Sequence, residues 1–226
     1  MDCVEVLPQL LMFRFPIGQA YLWHDGADLT LIDAGDRHAG GAIEEGMRRF
    51  GHDPAGIRRI VLTHGHRDHY GAAQELADRH GAEILAHRLD APAVRGEEPV
   101  PDPVLHDWER PLYTNGLTVP EAPPTRVDRE LTGGEELPFG GGALVVHAPG
   151  HTPGSLGIHL PRHKVLFTGD AAARVDRVIL GVLNTDHAQA MASFRRLAAL
   201  GPDVACFGHG DPLTTGAAAA LRAASQ

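Results

Sequence analysis

The chain has 226 residues, with 43% hydrophobic and 22% charged, the balance of an ordinary globular protein. A formal net charge of -9 offers no basic surface for neutralising phosphates, which argues against a nucleic-acid partner. No apolar run is long enough to span a membrane, Met1–Glu5 has no secretory-signal character, and Cys3 and Cys206 form neither a disulfide framework nor a CxxC pair, so the expectation is a reduced, cytoplasmic protein.

Short strands are expected over Met12–Phe15, Tyr21–His24 and Leu29–Asp33, separated by turns at Pro16, Gly18 and Asp25-Gly26. A helix over Ala39–Phe50 stops at Gly51. A strand at Ile60–Thr63, a helix over Ala72–His80 with Gly81 as its C-cap, and a strand at Glu83–Ala86 follow. The stretch from Arg88 to Arg129 is dense in proline and reads as a lid or a connecting segment rather than regular core structure. Strands resume at Ala143–His147, Ser155–Leu160 and Lys164–Thr168. A helix over His187–Leu200 is capped by Asp186 and stopped by Gly201-Pro202, and a strand at Val204–Phe207 and a helix over Ala217–Ala224 close the chain. The second half echoes the first, which two mixed sheets packed face to face with helices outside would satisfy. Residues 1–226 are thus expected to form one domain, with about 88–129 as the lid or connection.

Thr63-His64-Gly65-His66-Arg67-Asp68-His69 follows an apolar strand and crowds imidazoles and a carboxylate, the ligand types of zinc and its neighbours, into one loop. If the loop is extended, His64, His66 and Asp68 share a face, and His69 reaches a neighbouring point as the chain turns into the next helix. His151, Asp170 and His209 each stand just past an apolar strand beside a glycine. Strand ends gathered at one edge would bring all three near the His64–His69 loop. His87 reads as a structural residue. His24, His38, His52, His80, His106, His147, His159, His163 and His187 lack any such context and read as structural or solvated.

His64-x-His66-x-Asp68-His69 followed by His151, Asp170 and His209 resembles the metallo-β-lactamase superfamily, and Asp33 in Leu31–Gly35 and the Gly150–Ser155 turn fit the same pattern. The resemblance runs from about Leu10 to His209. It implies an α+β, four-layer αβ/βα sandwich with a metal site at one edge. It also implies that His64, His66 and His151 hold one divalent metal and Asp68, His69 and His209 a second, with Asp170 bridging. Asp33 would fix the His loop from behind by hydrogen bonds.

Two such metals, most simply Zn²⁺ with Fe or Mn as alternatives, lower the pKa of a bound water toward about 7 and polarise a carbonyl. No Ser or Cys nucleophile is needed, and Ser155 lacks a G-x-S-x-G frame. Asp68 is the residue the family suggests for moving a proton. Zinc β-lactamases usually carry Cys or Ser where Asp170 stands, whereas an Asp there resembles glyoxalase II, lactonases and related hydrolases. Glyoxalase II adds a helical domain after its last His, where this sequence continues only through Asp211–Gln226. The expected activity is hydrolysis of a small ester, lactone or thioester by a metal-bound hydroxide. The alternatives are an iron-dependent persulfide dioxygenase, a β-lactamase and a non-catalytic metal-bound sensor. The apolar run Val178–Leu183 reads as a lip beside the metals or a buried connection, and Arg174 and Arg177 as contacts for an anionic group.

Overall fold

A computed structural model describes all of residues 1–226. The first half contains β1 (Asp2–Leu7), β2 (Leu10–Arg14), β3 (Gln19–Asp25), β4 (Asp28–Ile32), α1 (Gly40–Arg49), β5 (Ile57–Val61), α2 (Arg67–Tyr70), α3 (Ala73–His80), β6 (Glu83–His87), α4 (Ala91–Val94), α5 (Arg110–Gly116) and β7 (Arg129–Leu131). Its seven strands form one sheet in sequence order, antiparallel from β1 to β4 and parallel from β4 to β7. The second half contains β8 (Glu136–Leu137), β9 (Ala143–His147), β10 (Leu156–Leu160), β11 (Val165–Phe167), β12 (Ala172–Arg174), β13 (Val178–Leu180), α6 (His187–Ala199), β14 (Val204–Cys206) and α7 (Ala217–Ala224). Five of its strands make a second sheet in the order β14-β11-β10-β9-β8, and β12 and β13 pair as a separate hairpin.

Side chains alternate across each strand, and that alternation builds the layers. On β2, Leu10 and Met12 enter an apolar core between the two sheets, with Trp23, Phe139, Val165 and Phe167. Leu11 and Phe13 point the other way, into a core shared with Ile43 and Met47 of α1 and Leu76 of α3. The far face of the second sheet packs Leu166 and Ala205 against Phe194 and Leu197 of α6 and Leu221 of α7. Helices therefore lie outside two sheets that pack face to face, which is the αβ/βα sandwich anticipated from the sequence.

Several expected boundaries fall within a residue or two of the observed ones. Gly81 ends α3 in the left-handed region at φ 70°, and the Asp186 carboxylate caps α6 by accepting Gln189 N–H at 2.9 Å. Two expectations need correction. The His64–His69 loop is not extended throughout. His66 is the last extended residue, and Arg67–Tyr70 forms the single turn α2, so Asp68 and His69 take their directions from a helix. The proline-dense stretch is also more regular than read. It holds α4, one 3-10 turn at Asp107–Glu109, the helix α5, and at its end the sheet strand β7.

Candidate metal centre

β4, β5 and β6 run parallel, as do β9, β11 and β14, so all six chain segments leave their strands at one edge of the sandwich. Asp33 follows β4, His64 to His69 follow β5, His151 follows β9, Asp170 follows β11 and His209 follows β14. The structure brings every one of these sequence-selected residues together. Three clusters have ligand atoms within 4.8 Å of one another: His64 with His66 and His151, His64 with His69 and Asp170, and Asp68 with His69 and His209. Asp170 lies between the groups. Its Oδ2 is 3.1 Å from His209 Nε2, 3.6 Å from His151 Nε2 and 4.0 Å from His64 Nε2, and its Oδ1 is 3.6 Å from His69 Nε2.

The backbone admits this crowding where glycine omits a side chain. A Cβ on Gly208 would lie 1.9 Å from Asp170 Oδ1, so the residue before His209 has no room for one. Asp33 takes a left-handed φ of 61°, uncommon for a residue with a Cβ, and the contacts it gains are dense. Its Oδ1 accepts Thr63 N–H at 2.8 Å, and its Oδ2 accepts the Thr63 hydroxyl at 2.8 Å and His69 Nδ1 at 2.9 Å.

These contacts fix which ring nitrogens are free. The Thr63 hydroxyl gives its proton to Asp33, so it accepts from His64 Nδ1 at 3.0 Å. His151 Nδ1 donates to Val182 O, an acceptor only, at 2.9 Å. In neutral rings His64, His69 and His151 therefore keep the Nε2 lone pair for the centre, the arrangement that metal-ligating imidazoles adopt. His64 Nε2, His69 Nε2 and Asp170 Oδ1 are buried with no hydrogen-bond partner. Buried polar atoms in that state are costly unless something positive lies among them, and the donor set of imidazoles and carboxylates fits divalent cations of the zinc type.

The protein's own charges shape the titration of the site. Burial pushes the His64 imidazole well below its ordinary value, and the neighbouring His69 adds to that. Burial also opposes charge on His69, but the Asp170, Asp68 and Asp33 carboxylates outweigh it and hold this ring up at about 10. Asp170 responds in the opposite sense: burial would raise it, yet His209, His69 and His64 hold it well below the usual carboxylate range.

One residue escaped the sequence reading. Asp90 is buried just beyond β6, where Oδ2 accepts Gly65 N–H at 2.8 Å and the Thr152 hydroxyl at 2.6 Å, while Oδ1 accepts Gly154 N–H at 2.7 Å. It thus clamps the loop bearing His64 and His66 to the turn bearing His151. The surrounding sequence Leu89-Asp90-Ala91-Pro92 resembles an ordinary helix start, and its partners lie 25 to 64 residues away, so no local signal marks it.

A cavity of about 650 Å³ opens over the centre, with His66, Asp68, His151, Asp170 and His209 on its floor. Phe15, Ile17, Trp108, Leu112, Leu117 and Ile179 make much of its wall. Trp108, Leu112 and Leu117 come from the proline-dense stretch, and Ile179 with Val182 and Leu183 from the Val178–Leu183 run, so both segments border the cavity. Arg174 Nη1 donates to Asp211 O and Pro212 O at 3.2 Å, and neither Arg174 nor Arg177, read from the sequence as contacts for an anionic group, is among the residues that line the cavity.

Comparison with known proteins agrees with this geometry. Residues 14–209 match the family described as Metallo-beta-lactamase superfamily. The "Probable metallo-hydrolase YflN" of Bacillus subtilis (strain 168) is 30% identical over 208 residues, covering 82% of this chain and 76% of that protein. The "Hydroxyacylglutathione hydrolase GloC" of Haemophilus influenzae is 29% identical over 169 residues, covering 74% of this chain and 70% of that protein. Among solved structures, a metallo-beta-lactamase family protein from Thermus thermophilus, TTHA1429, superposes with a TM-score of 0.70 at 26% identity, covering 97% of this chain and 78% of that one. The Rm3 metallo-beta-lactamase reaches 0.75 at 19% identity, covering 99% and 91%, a likeness of fold alone. With the family match spanning the whole Asp33–His209 constellation, the chain belongs to the metallo-beta-lactamase superfamily.

Proposed function

We propose that the protein is a metal-dependent hydrolase that holds two divalent cations and cleaves a small carboxylic ester, lactone or thioester. One observation carries the reading: Asp170 stands between two sets of converging imidazoles, on the floor of a cavity with an apolar wall. His64, His66 and His151 would hold one cation, Asp68, His69 and His209 the other, and Asp170 both. Zinc is the expected metal, since its borderline character suits nitrogen and carboxylate ligands together. When bound, the cations supply Lewis acidity toward a carbonyl oxygen and lower the pKa of water toward about 7.

The chain's own residues supply position and proton traffic. Asp33 and Val182 O hold His69 and His151 in one tautomer, so neither ring has to reorient during turnover. Asp68 Oδ2 lies 3.5 Å from both His69 Nε2 and His209 Nε2 and borders the cavity. From there it can take a proton from the attacking water and pass it to the leaving alkoxide or thiolate. The apolar wall receives the acyl part and keeps bulk water from the carbonyl. Relatives that include a hydroxyacylglutathione hydrolase and the "Acyl-coenzyme A thioesterase MBLAC2" of Gallus gallus support a thioester within this class.

Elemental analysis of unchelated protein tests the metal half, with close to two ions per chain expected. Side-by-side kcat/KM on an aryl ester, an acyl lactone, an acyl thioester and a β-lactam tests the substrate half. A β-lactam turned over best by a wide margin would overturn the substrate class. Saturation at one iron per chain would overturn the dinuclear hydrolase.

A further inference from the structure

A second constellation of ligand-type side chains lies outside the main centre. His106, Glu109 and His187 bring ligand atoms within 4.8 Å of one another, although the two histidines stand 81 positions apart in the sequence. Their rings sit with centroids 4.3 Å apart. Glu109 is buried, its two oxygens accepting Leu183 N–H and His106 N–H, each at 2.8 Å. His187 Nε2 bonds Val104 O at 2.6 Å. A carbonyl oxygen can only accept, so Nε2 carries the proton and Nδ1 keeps the lone pair. A backbone carbonyl fixing one ring nitrogen so that the other is free is what Val182 O does for His151 in the main centre. The Asp186 carboxylate at the start of α6 offsets the positive end of that helix, which would otherwise repel a cation at His187.

We propose that His106, Glu109 and His187 form an accessory binding site for a divalent transition-metal cation, with water completing the coordination. Two imidazoles and a carboxylate suit Zn²⁺, Co²⁺, Ni²⁺ or Cu²⁺ and are poor ligands for Mg²⁺ or Ca²⁺. A cation there ties the 104–109 stretch to the start of α6. The same stretch is bonded to Leu183 and Asn184, beside Val182, whose carbonyl orients His151. Occupancy therefore stiffens the cavity wall next to the main centre. The inference does not depend on the hydrolase reading.

The test is calorimetric titration of Zn²⁺ into protein whose main centre is already loaded, after desalting into chelator-free buffer, for wild type and His106→Ala/His187→Ala. Wild type should take up one equivalent more than the double variant, while elemental analysis before titration gives the same metal content for both. Equal uptake by the two proteins overturns the proposal. Should the double variant fail to fold, His106→Gln, at an exposed position, should weaken the extra equivalent by roughly tenfold or more. Unchanged affinity in that variant overturns it equally. Mg²⁺ in place of Zn²⁺ should give no extra heat, and uptake of Mg²⁺ with the same stoichiometry would show that the cluster is not the transition-metal site proposed.

Discussion

At Asp170 one carboxylate faces four imidazoles, and it is the only carboxylate with oxygens within 4.0 Å of His64, His69, His151 and His209 together. Asp170→Ala should therefore lower kcat by several orders of magnitude and reduce the metal content measured by elemental analysis. Activity within tenfold of wild type, about 1.4 kcal/mol of barrier, would contradict this. Asp90 makes a different prediction because it touches backbone and hydroxyl groups rather than ring nitrogens. Asp90→Asn keeps the shape but presents an amide to donors that need acceptors. It should weaken metal affinity by roughly 10–100-fold, read by competition with a chromogenic chelator, at near-unchanged far-UV dichroism. Affinity equal to wild type would show that the clamp does not position the centre. The converging residues themselves were legible, since each stands just past an apolar strand and most beside a glycine. Asp90 was not, because its role exists only in contacts between loops far apart in sequence.

The element whose character the sequence concealed is α5. Proline density around it reads as a barrier to helix, yet Pro111 sits in the first turn, where a missing N–H costs nothing. None of the side chains of α5 is buried, so no apolar period marks it either. Its segment is nevertheless fastened at both ends to the centre. Arg67, between His66 and Asp68, pairs with Glu121 and donates to Leu117 O, and Glu109 holds Leu183 N–H. Trp108 and Leu112 are 60% and 45% exposed and border the cavity, so their apolar surface is available to a substrate and contributes little to the core. Trp108→Ala and Leu112→Ala should leave unfolding free energy within about 0.5 kcal/mol of wild type and raise KM several-fold for a long-chain acyl ester but not for an acetyl ester. Equal KM changes for both esters would remove the acyl chain from this wall. The edge strands β1 and β7 were missed for simpler reasons. β1 has no buried residue and β7 spans only Arg129–Leu131, so neither carries a readable alternation.

Across the whole molecule, the two halves meet at the inter-sheet core and at a stacked imidazole pair. His87 at the end of β6 lies parallel to His147 at the end of β9, with ring centroids 4.1 Å apart. Burial, with the adjacent His147 adding to it, pulls the His87 imidazole down to about 4. An unfolded chain takes up that proton at its ordinary value near 6.5, so the unfolded state binds more protons between those two values. The contribution of a neutral His87 is full above pH 6.5 and falls away as pH drops toward 4. His87→Phe keeps an aromatic ring without the titration. Urea unfolding at pH 7 and pH 4.5 should show that the variant loses about 1–3 kcal/mol less than wild type over this interval. Equal losses would mean that His87 does not report on acid stability. Any effect of acid on the main centre is common to both proteins and cancels in the comparison.

His209, which meets Asp68 and Asp170, follows β14, itself paired in parallel with β11, so the chain closes its centre with one of its last strands. That places a constraint on how the protein is made. While residues before 209 are still being added, the Asp68–His69–His209 cluster lacks a member, and the imidazoles and carboxylates already made are an incomplete set. The Asp68–His69–His209 cluster therefore assembles only once residue 209 has been added and β14 has docked on β11, and a chain cut short before His209 carries most of the sandwich without that cluster.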